Sequence, residues 1–527
     1  MSKFRKVKVL CSLMIVVSML LGLLSGCGSN GSTNANSTSA NTSVAQSSEA
    51  VTPATPAETE LKKGPVKLIW YVDVSPQVDK GLVVDEVNKI TQAKINTTLE
   101  LNFIDWGEYD QKMKMIIASG EPWDMCMAAN WANNYIDNVN KGAFLDVSEL
   151  LPIYAPTVYK DVPVSIWDAS KRAGKLFGIT NGYSSNSNGL LVMKSIADKY
   201  NFDVSKVKSL YDIEPLLEKI KQNDKTLTPL AMDKTGYVSN LELTLGYEPL
   251  VNSDIPCAIA LDDTVGTIMN QFELPSFKAH ILKMSEWYNK GYIKKDAATL
   301  ERPAEEQKAG LYPVVVAPMY FPTVEADQSP LFGGAPLVAA QLSDSYFSTG
   351  TLTGGLTAFN ASGTNTERAI MLYELIHNTK DLYNMLSIGI EGKHYTKLAE
   401  DATTNRIEID PIANSAYNPN IFWEFGDGQH AYFVNKGTAF DTPDKKAAFY
   451  AAGKNDVAFG FSFDSTSVKT QLAKCHAVSD EYYPALVTGS VDVEKTLPIY
   501  LEKLKNAGGD EIIAEAQKQF DAWKKSK

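Results

Sequence analysis

Hydrophobic and polar positions fall into a repeating order from Val66 onward. Val66, Leu68, Trp70 and Val72 alternate, and the intervening Ile69 and Tyr71 predict a strand buried on both faces. Val83, Val87 and Ile90 then share one face of a helix, and Leu99, Leu101 and Phe103 mark a second strand. Met113, Ile116 and Ile117 lie on a second helix, which Gly120 and Pro122 terminate; Asp124 to Ala129 reads as a short third strand. This succession is the grammar of a parallel α/β sheet with right-handed crossovers. Further on, Gly174 to Gly178 predicts a tight hairpin. Thr180 to Gly189, small or polar apart from Tyr183, reads as a passage between two lobes. Gly189 to Met193 opens a second α/β region running to about Thr349, in which Val314-Val315-Val316 is a buried strand leading into Tyr320-Phe321. Gly350 to Phe359 reads as a second crossing, followed by a helix capped by Thr366 with Ala369, Leu372, Tyr373 and Ile376 buried. Ile512, Ile513, Ala516 and Phe520 predict a packing helix at the C-terminal end.

The start of the chain is different. Lys3, Arg5, Lys6 and Lys8 precede an apolar run from Val9 to Leu24 that ends in Leu24-Ser25-Gly26-Cys27. The run is short for a membrane span. A leucine three places before a cysteine, with small residues between, resembles the lipobox of bacterial lipoproteins, which implies that residues 1–26 are a signal peptide and that Cys27 is lipidated. Gly28 to Glu60 is rich in Ser, Thr, Asn and Ala and has no Lys or Arg, so residues 27–64 are expected to form a disordered tether.

Composition narrows the remaining classes. At 527 residues the chain has room for two or three domains. Its net charge of −12 argues against nucleic acid as a partner, because phosphate binding needs a basic surface. Five His and five Cys, widely scattered, make a zinc framework or a disulfide scaffold unexpected, and no cofactor or metal is expected. Cys126, Cys257 and Cys475 read as buried thiols, with one disulfide left open.

Candidate chemistry sits at the strand ends, where parallel sheets bind ligands. Asp73, Asp105-Trp106 and Asn130-Trp131 each bring a hydroxyl-bonding group, and two bring an aromatic beside it. That pairing suits a sugar, whose apolar face stacks on rings while carboxylate and amide take its hydroxyls. The plainer alternative has the tryptophans covering helix starts and Asp105 and Asn130 capping them. Tyr183 is either a ligand contact or a hinge aromatic. Glu391, Lys393 and His394, in a glycine-flanked segment, either face a cleft or form a salt-bridge cluster. In Phe422-Trp423-Glu424-Phe425, Trp423 is either a stacking platform or part of a core strand. The chain has no Gly-x-Ser-x-Gly, His-Glu-x-x-His or Gly-Lys-Ser/Thr phosphate loop, so catalysis finds little support.

Several stretches together resemble the extracellular solute-binding proteins of ABC importers, in their family-1, carbohydrate-type group. They are Leu68-Ile69-Trp70-Tyr71, Ile117-Ala118-Ser119-Gly120, Gly142 to Asp146, Gly174 to Ile179, Leu356 to Phe359 and Asn365 to Ala369. Gly389 to Tyr395, Gly460 to Asp464, Thr488-Gly489-Ser490 and Asn130 to Tyr135 resemble the LipO-like subgroup, which has a distinctive C-terminal domain. The resemblance implies an α/β, two-lobe periplasmic-binding-protein-like (type II) fold with discontinuous lobes and a cleft. The lobes are expected over 65–180 plus 356–425 and over 181–355 plus 426–527. It also implies an oligosaccharide or related polar solute held between closing lobes, a permease on separate chains, a monomer, no chemistry, and a lipid anchor on the extracytoplasmic face of a Gram-positive cell membrane. Where many sugar binders of that family place a tryptophan, this chain has Met319-Tyr320, so Tyr320 or Phe321 is expected to supply the stacking surface. A receptor for peptides or other solutes, and a surface polysaccharide-degrading enzyme, are the rival readings.

Overall fold

The computed structural model describes residues 55–527, apart from 237–240, 301–303, 318 and 429–430. Residues 1–26, the lipidation site Cys27 and most of the expected tether therefore lie outside the described residues. Strand Val66–Asp73 buries Leu68, Trp70 and Val72 completely, against Val83 and Val87 of helix Lys80–Ile95. That helix stops at Asn96, whose φ of +50° is left-handed, a conformation asparagine tolerates better than most residues. The chain then returns as Thr97–Ile104, parallel to the first strand in register Val66 with Thr97. Helix Tyr109–Ser119 ends at Gly120 and leads into Met125–Ala128, on the other side of the first strand. Two antiparallel additions complete a five-stranded sheet in the order Thr97–Ile104, Val66–Asp73, Met125–Ala128, Leu356–Phe359, Ile179–Thr180. The parallel strands all point one way, so the segments after Asp73, Ile104 and Ala128 arrive at one edge of the sheet.

The last part of the stretch expected to be a tether is folded. Pro56–Leu61 is a helix, closed by a capping box between Thr55 and Glu58. It is held by Arg368, which is wholly buried and donates from its guanidinium to the carbonyls of Glu60 (2.7 Å), Ile95 (2.8 Å) and Asn96 (3.1 Å). Arg368 belongs to helix Thr366–Asn378, whose Ala369, Leu372, Tyr373 and Ile376 are buried as the pattern predicts. Thr366 is the first residue of that helix and not its cap; Asn365 precedes it.

The second lobe has a three-stranded sheet in the order Leu337–Gln341, Gly189–Met193, Val314–Ala317. Its core gathers Leu190, Val192, Leu216, Leu217, Ile220, Val314 and Trp287. A further core lies beside it, built from Phe272, Phe277, Ile281, Cys475, Tyr500, Ile512 and Phe520. Helix Pro275–Lys290 serves both: Met284 and Trp287 face one core, Phe277 and Ile281 the other. Gly489, with φ +71°, lets the end of helix Lys469–Val487 close onto it, since a Cβ there would lie 2.3 Å from the Met284 backbone.

Short segments among the described residues connect the lobes. The first runs through Ser185 to Asn188. The second is Tyr346–Phe347, earlier in the chain than the predicted Gly350 to Phe359, whose glycines instead lie on the wall of a cavity. The chain crosses again between Asn435 and Thr442, and Lys454–Asn455, which the sequence did not reveal, then lies parallel to Tyr346–Phe347. Ser345 Oγ donates to Ser185 Oγ (2.6 Å), Ser185 Oγ to the Tyr450 carbonyl (2.9 Å) and Ser187 Oγ to the Ser343 carbonyl (2.7 Å). The lobe boundary expected at 425 also falls too early. Phe433–Asn435 pairs with Arg406–Pro411, and Ala431 packs in the first lobe's core. Only with helix Thr442–Ala451 does the chain reach the second lobe, where Tyr450 packs on Phe321 and Phe449 on Tyr320.

Candidate functional site

A cavity of about 1440 Å³ opens between the two lobes and the connecting segments. The first lobe contributes Asn130, Trp131, Asn181, Trp423 and Asp427; the second contributes Glu248, Phe321, Asp456 and Phe461. Ser348 to Thr351 line it from the second connection.

Three tryptophans from three separate segments meet at its edge. Trp106 and Trp131 stack with centroids 5.8 Å apart and planes 24° apart; Trp423 lies 6.3 Å from the first and 6.4 Å from the second. Trp106 is 44% exposed and Trp131 51%, so neither covers a helix start. Exposed apolar surface of this size marks a binding site more often than a packing surface. Backbone close by holds the rings in place. Trp131 Nε1 donates to the Gly354 carbonyl (2.8 Å), and a Cβ on Gly355 would stand 3.0 Å from the Trp423 ring. Asn130 is fixed by its own N–H on the Thr353 carbonyl (2.8 Å). Phe422–Glu424 is a 3₁₀ turn and not a core strand, which leaves the Trp423 ring on the cavity while Phe425 packs edge-on against Trp70.

Of the residues singled out in the sequence, Asn130, Trp131, Tyr183 and Trp423 line the cavity, and Trp106 completes the aromatic group at its rim. The others are placed differently. Asp73 is fully buried: its N–H donates to Glu424 Oε2 (3.1 Å), while both its carboxyl oxygens and Glu424 Oε1 lack a hydrogen-bond partner. Burial, reinforced by the charge of Asp105, pushes the Asp73 carboxyl up to about 7, and burial drives Glu424 well above its usual range. Neither carboxyl lines the cavity. Asp105 closes a turn, accepting from Ser75 Oγ (2.6 Å) and the Gly107 N–H (3.1 Å), bonds that lower its pKa. Tyr320 is half-buried against Phe449, and its neighbour Phe321 faces the cavity, with Lys446 Nζ 4.5 Å above its ring. Glu391 is exposed and does not line the cavity. His394 is buried, with Nδ1 accepting from the Ile390 N–H (2.8 Å) and Nε2 3.2 Å from Asp79, which Lys393 also approaches (2.9 Å). That is the salt-bridge alternative.

Asn181, Gly182, Asp427, Glu248 and Asp456 were missed. Asn181 Oδ1 accepts from Thr357 Oγ1 (2.9 Å) and Tyr373 OH (3.0 Å), which anchors the first connection to the sheet. Gly182, at φ +133°, lies so close to Asp427 that a Cβ would be 2.9 Å from its carboxylate. The Gly426-Asp427-Gly428 triplet was the available signal for that loop. Glu248 is pushed up to about 8 by burial and by the Asp456 charge; burial pushes Asp456 to about 6. Among the described residues no group of three or more His, Cys, Asp or Glu is arranged to hold a metal ion. Cys126, Cys257 and Cys475 are buried free thiols. No described helix is long and apolar enough to cross a membrane.

The architecture has close counterparts. NgtS, an N-glycan transport solute binding protein from Streptococcus pneumoniae, superimposes with a TM-score of 0.77 at 24% identity, covering 87% of this chain and 98% of that one. Its complexes with Man1GlcNAc and Man5GlcNAc give 0.68 and 0.67. In sequence, a carbohydrate ABC transporter substrate-binding protein of Streptococcus pneumoniae serotype 4 (strain ATCC BAA-334 / TIGR4) is 26% identical over 475 residues, 88% of this chain and 91% of that protein. The chain resembles the solute-binding proteins of ABC importers over nearly nine-tenths of its length. A second relative is the polygalacturonan/rhamnogalacturonan-binding protein YtcQ of Bacillus subtilis (strain 168), 21% identical and covering 88% and 94% of the two chains. Residues 457–525, within the third core, match a family model described as a domain of unknown function (DUF3502). The similar proteins are named as binding proteins and not as enzymes.

Proposed function

We propose that this solute-binding protein captures an oligosaccharide between its lobes and delivers it, chemically unchanged, to an ABC permease formed by separate chains. The observation that carries this reading is the cavity itself, an aromatic wall of Trp131 and Trp423 facing a polar wall of Glu248, Ser348 and Asp456. At about 1440 Å³ it exceeds the ~300–1,000 Å³ of an ordinary small-molecule pocket. Sugar rings lay their apolar faces on the tryptophans, and Asn130, Asn181 and Tyr183 take hydroxyls. The serine-tied connections are short and polar, suited to bending while each core stays rigid. The lower TM-scores against the glycan complexes of NgtS support a difference in lobe arrangement between this structure and a ligand-filled one. The protein works outside the cytoplasm as a monomer, with residues 1–26 removed and Cys27 lipidated as its membrane anchor.

The test is a panel of glycan fragments, peptides and buffer in thermal unfolding and calorimetry. A ligand at a hundredfold excess over Kd stabilises by ~2.7 kcal/mol. Stabilisation by a saccharide, with a fall in radius of gyration by small-angle scattering, is expected; stabilisation by peptides alone overturns the reading. Glu248 and Asp456, two carboxyls with different affinities for protons on one wall, favour a hydrolytic alternative. Glycan recovered intact after prolonged incubation removes it.

A further inference from the structure

The likeness to other binding proteins leaves the charge of the ligand open, but the walls of the cavity do not. Among the described residues lining it, Lys446 is the one cation. It is already engaged by the Asp327 carboxylate and lies over the Phe321 ring. No arginine is found among the described residues lining the cavity, although the planar guanidinium fork is the usual partner of a bound carboxylate. The acids are numerous by contrast, with Glu242, Glu248 and Asp456 on the second-lobe side and Asp427 opposite.

Resting on the saccharide reading above, we propose that the cleft selects uncharged oligosaccharides and rejects chains that carry uronate carboxylates. Two independent features carry this. The aromatic wall recognises a sugar by its apolar face, which costs nothing in charge. The acidic wall repels an incoming carboxylate in a space that closure dries, where like charges interact far more strongly than in water. The wall already carries that strain internally, since the charge of Asp456 helps to keep a proton on Glu248. A protonated Glu248 both donates and accepts, as does the Ser348 hydroxyl beside it, and both suit a hydroxyl group.

The experiment uses the full chain and a mannose–N-acetylglucosamine oligosaccharide in three matched forms. These are the parent, the same chain with its primary hydroxyls oxidised to carboxylates, and the methyl ester of the oxidised chain. Calorimetry at pH 7 is expected to show the oxidised form at least thirtyfold weaker than the parent, with the ester recovering tenfold or more. A preference below thirtyfold overturns the inference, and so does an ester as weak as the acid, because bulk and not charge is then responsible. If no saccharide of either charge binds, the receptor reading itself fails, a result distinct from loss of charge preference. In the Glu248→Gln/Asp456→Asn double variant the ratio of parent to oxidised affinity is expected to shrink at least tenfold. An unchanged ratio in a variant that still binds the parent overturns the assignment of selectivity to this wall.

Discussion

Replacing Trp131 by alanine separates binding from folding, because the ring is half in solvent. A tryptophan offers ~150–250 Å² of surface, and 51% of Trp131 is open. Covering about 80–100 Å² of that face with a sugar ring, at roughly 25 cal/mol per Å², is worth about 2 kcal/mol, or a thirtyfold change in Kd. The cost to stability is smaller. It comprises ring–ring contact with Trp106 and Trp423 and the Nε1–H bond to Gly354, together about 1–2 kcal/mol. Calorimetry with the best saccharide of the panel measures the first quantity and urea unfolding the second. Trp131→Phe keeps an aromatic face but loses the bond to Gly354, so it belongs between alanine and the native residue. A Kd within twofold of native for the alanine variant, with the fold intact, refutes the stacking argument.

Other perturbations probe the supports around the cavity. Gly355→Ala places a methyl 3.0 Å from the Trp423 ring and forces it to tilt; ligand affinity is expected to fall about five- to tenfold, with under about 1 kcal/mol lost in urea unfolding. Asp73, raised from 3.8 to about 7, binds more protons folded than unfolded, so its contribution is fully present below pH 4 and is lost as pH rises toward 7. Asp73→Asn is therefore expected to flatten the fall in stability between pH 4 and 8 by about 2 kcal/mol after allowance for screening, measured by urea titrations across that range. Arg368→Ala removes a buried guanidinium that bonds three backbone carbonyls; a loss of about 3–5 kcal/mol is expected, with faster proteolysis around Pro56–Leu61.

The first sheet was legible because its strands and helices carry their own periodicity. Leu68, Trp70, Val83, Val87 and Leu99 needed only local reading. The three tryptophans were legible too, since each follows or adjoins a recognisable strand end or aromatic cluster. Asp73 was misplaced because its cover, Glu424, is 351 residues away, and no local pattern reports such a partner. The choice between Tyr320 and Phe321 stayed open because the chain leaves its strand at Ala317, after which alternation no longer says which side chain faces inward. The strand at Lys454–Asn455 escaped notice because it is short, exposed and without apolar spacing. The capping box at Thr55 is plain in the sequence, but its docking depends on Arg368, far along the chain.

Helix Pro275–Lys290 gives two cores a common beam. The C-terminal segment is thus no detachable accessory bolted to a finished receptor. Excising it would strip Phe277 and Ile281 of their cover and unseat the same helix that holds Trp287 in place. Engineers seeking a minimal version of this receptor would have to rebuild that face first, and whatever moves one of these two masses carries the other along.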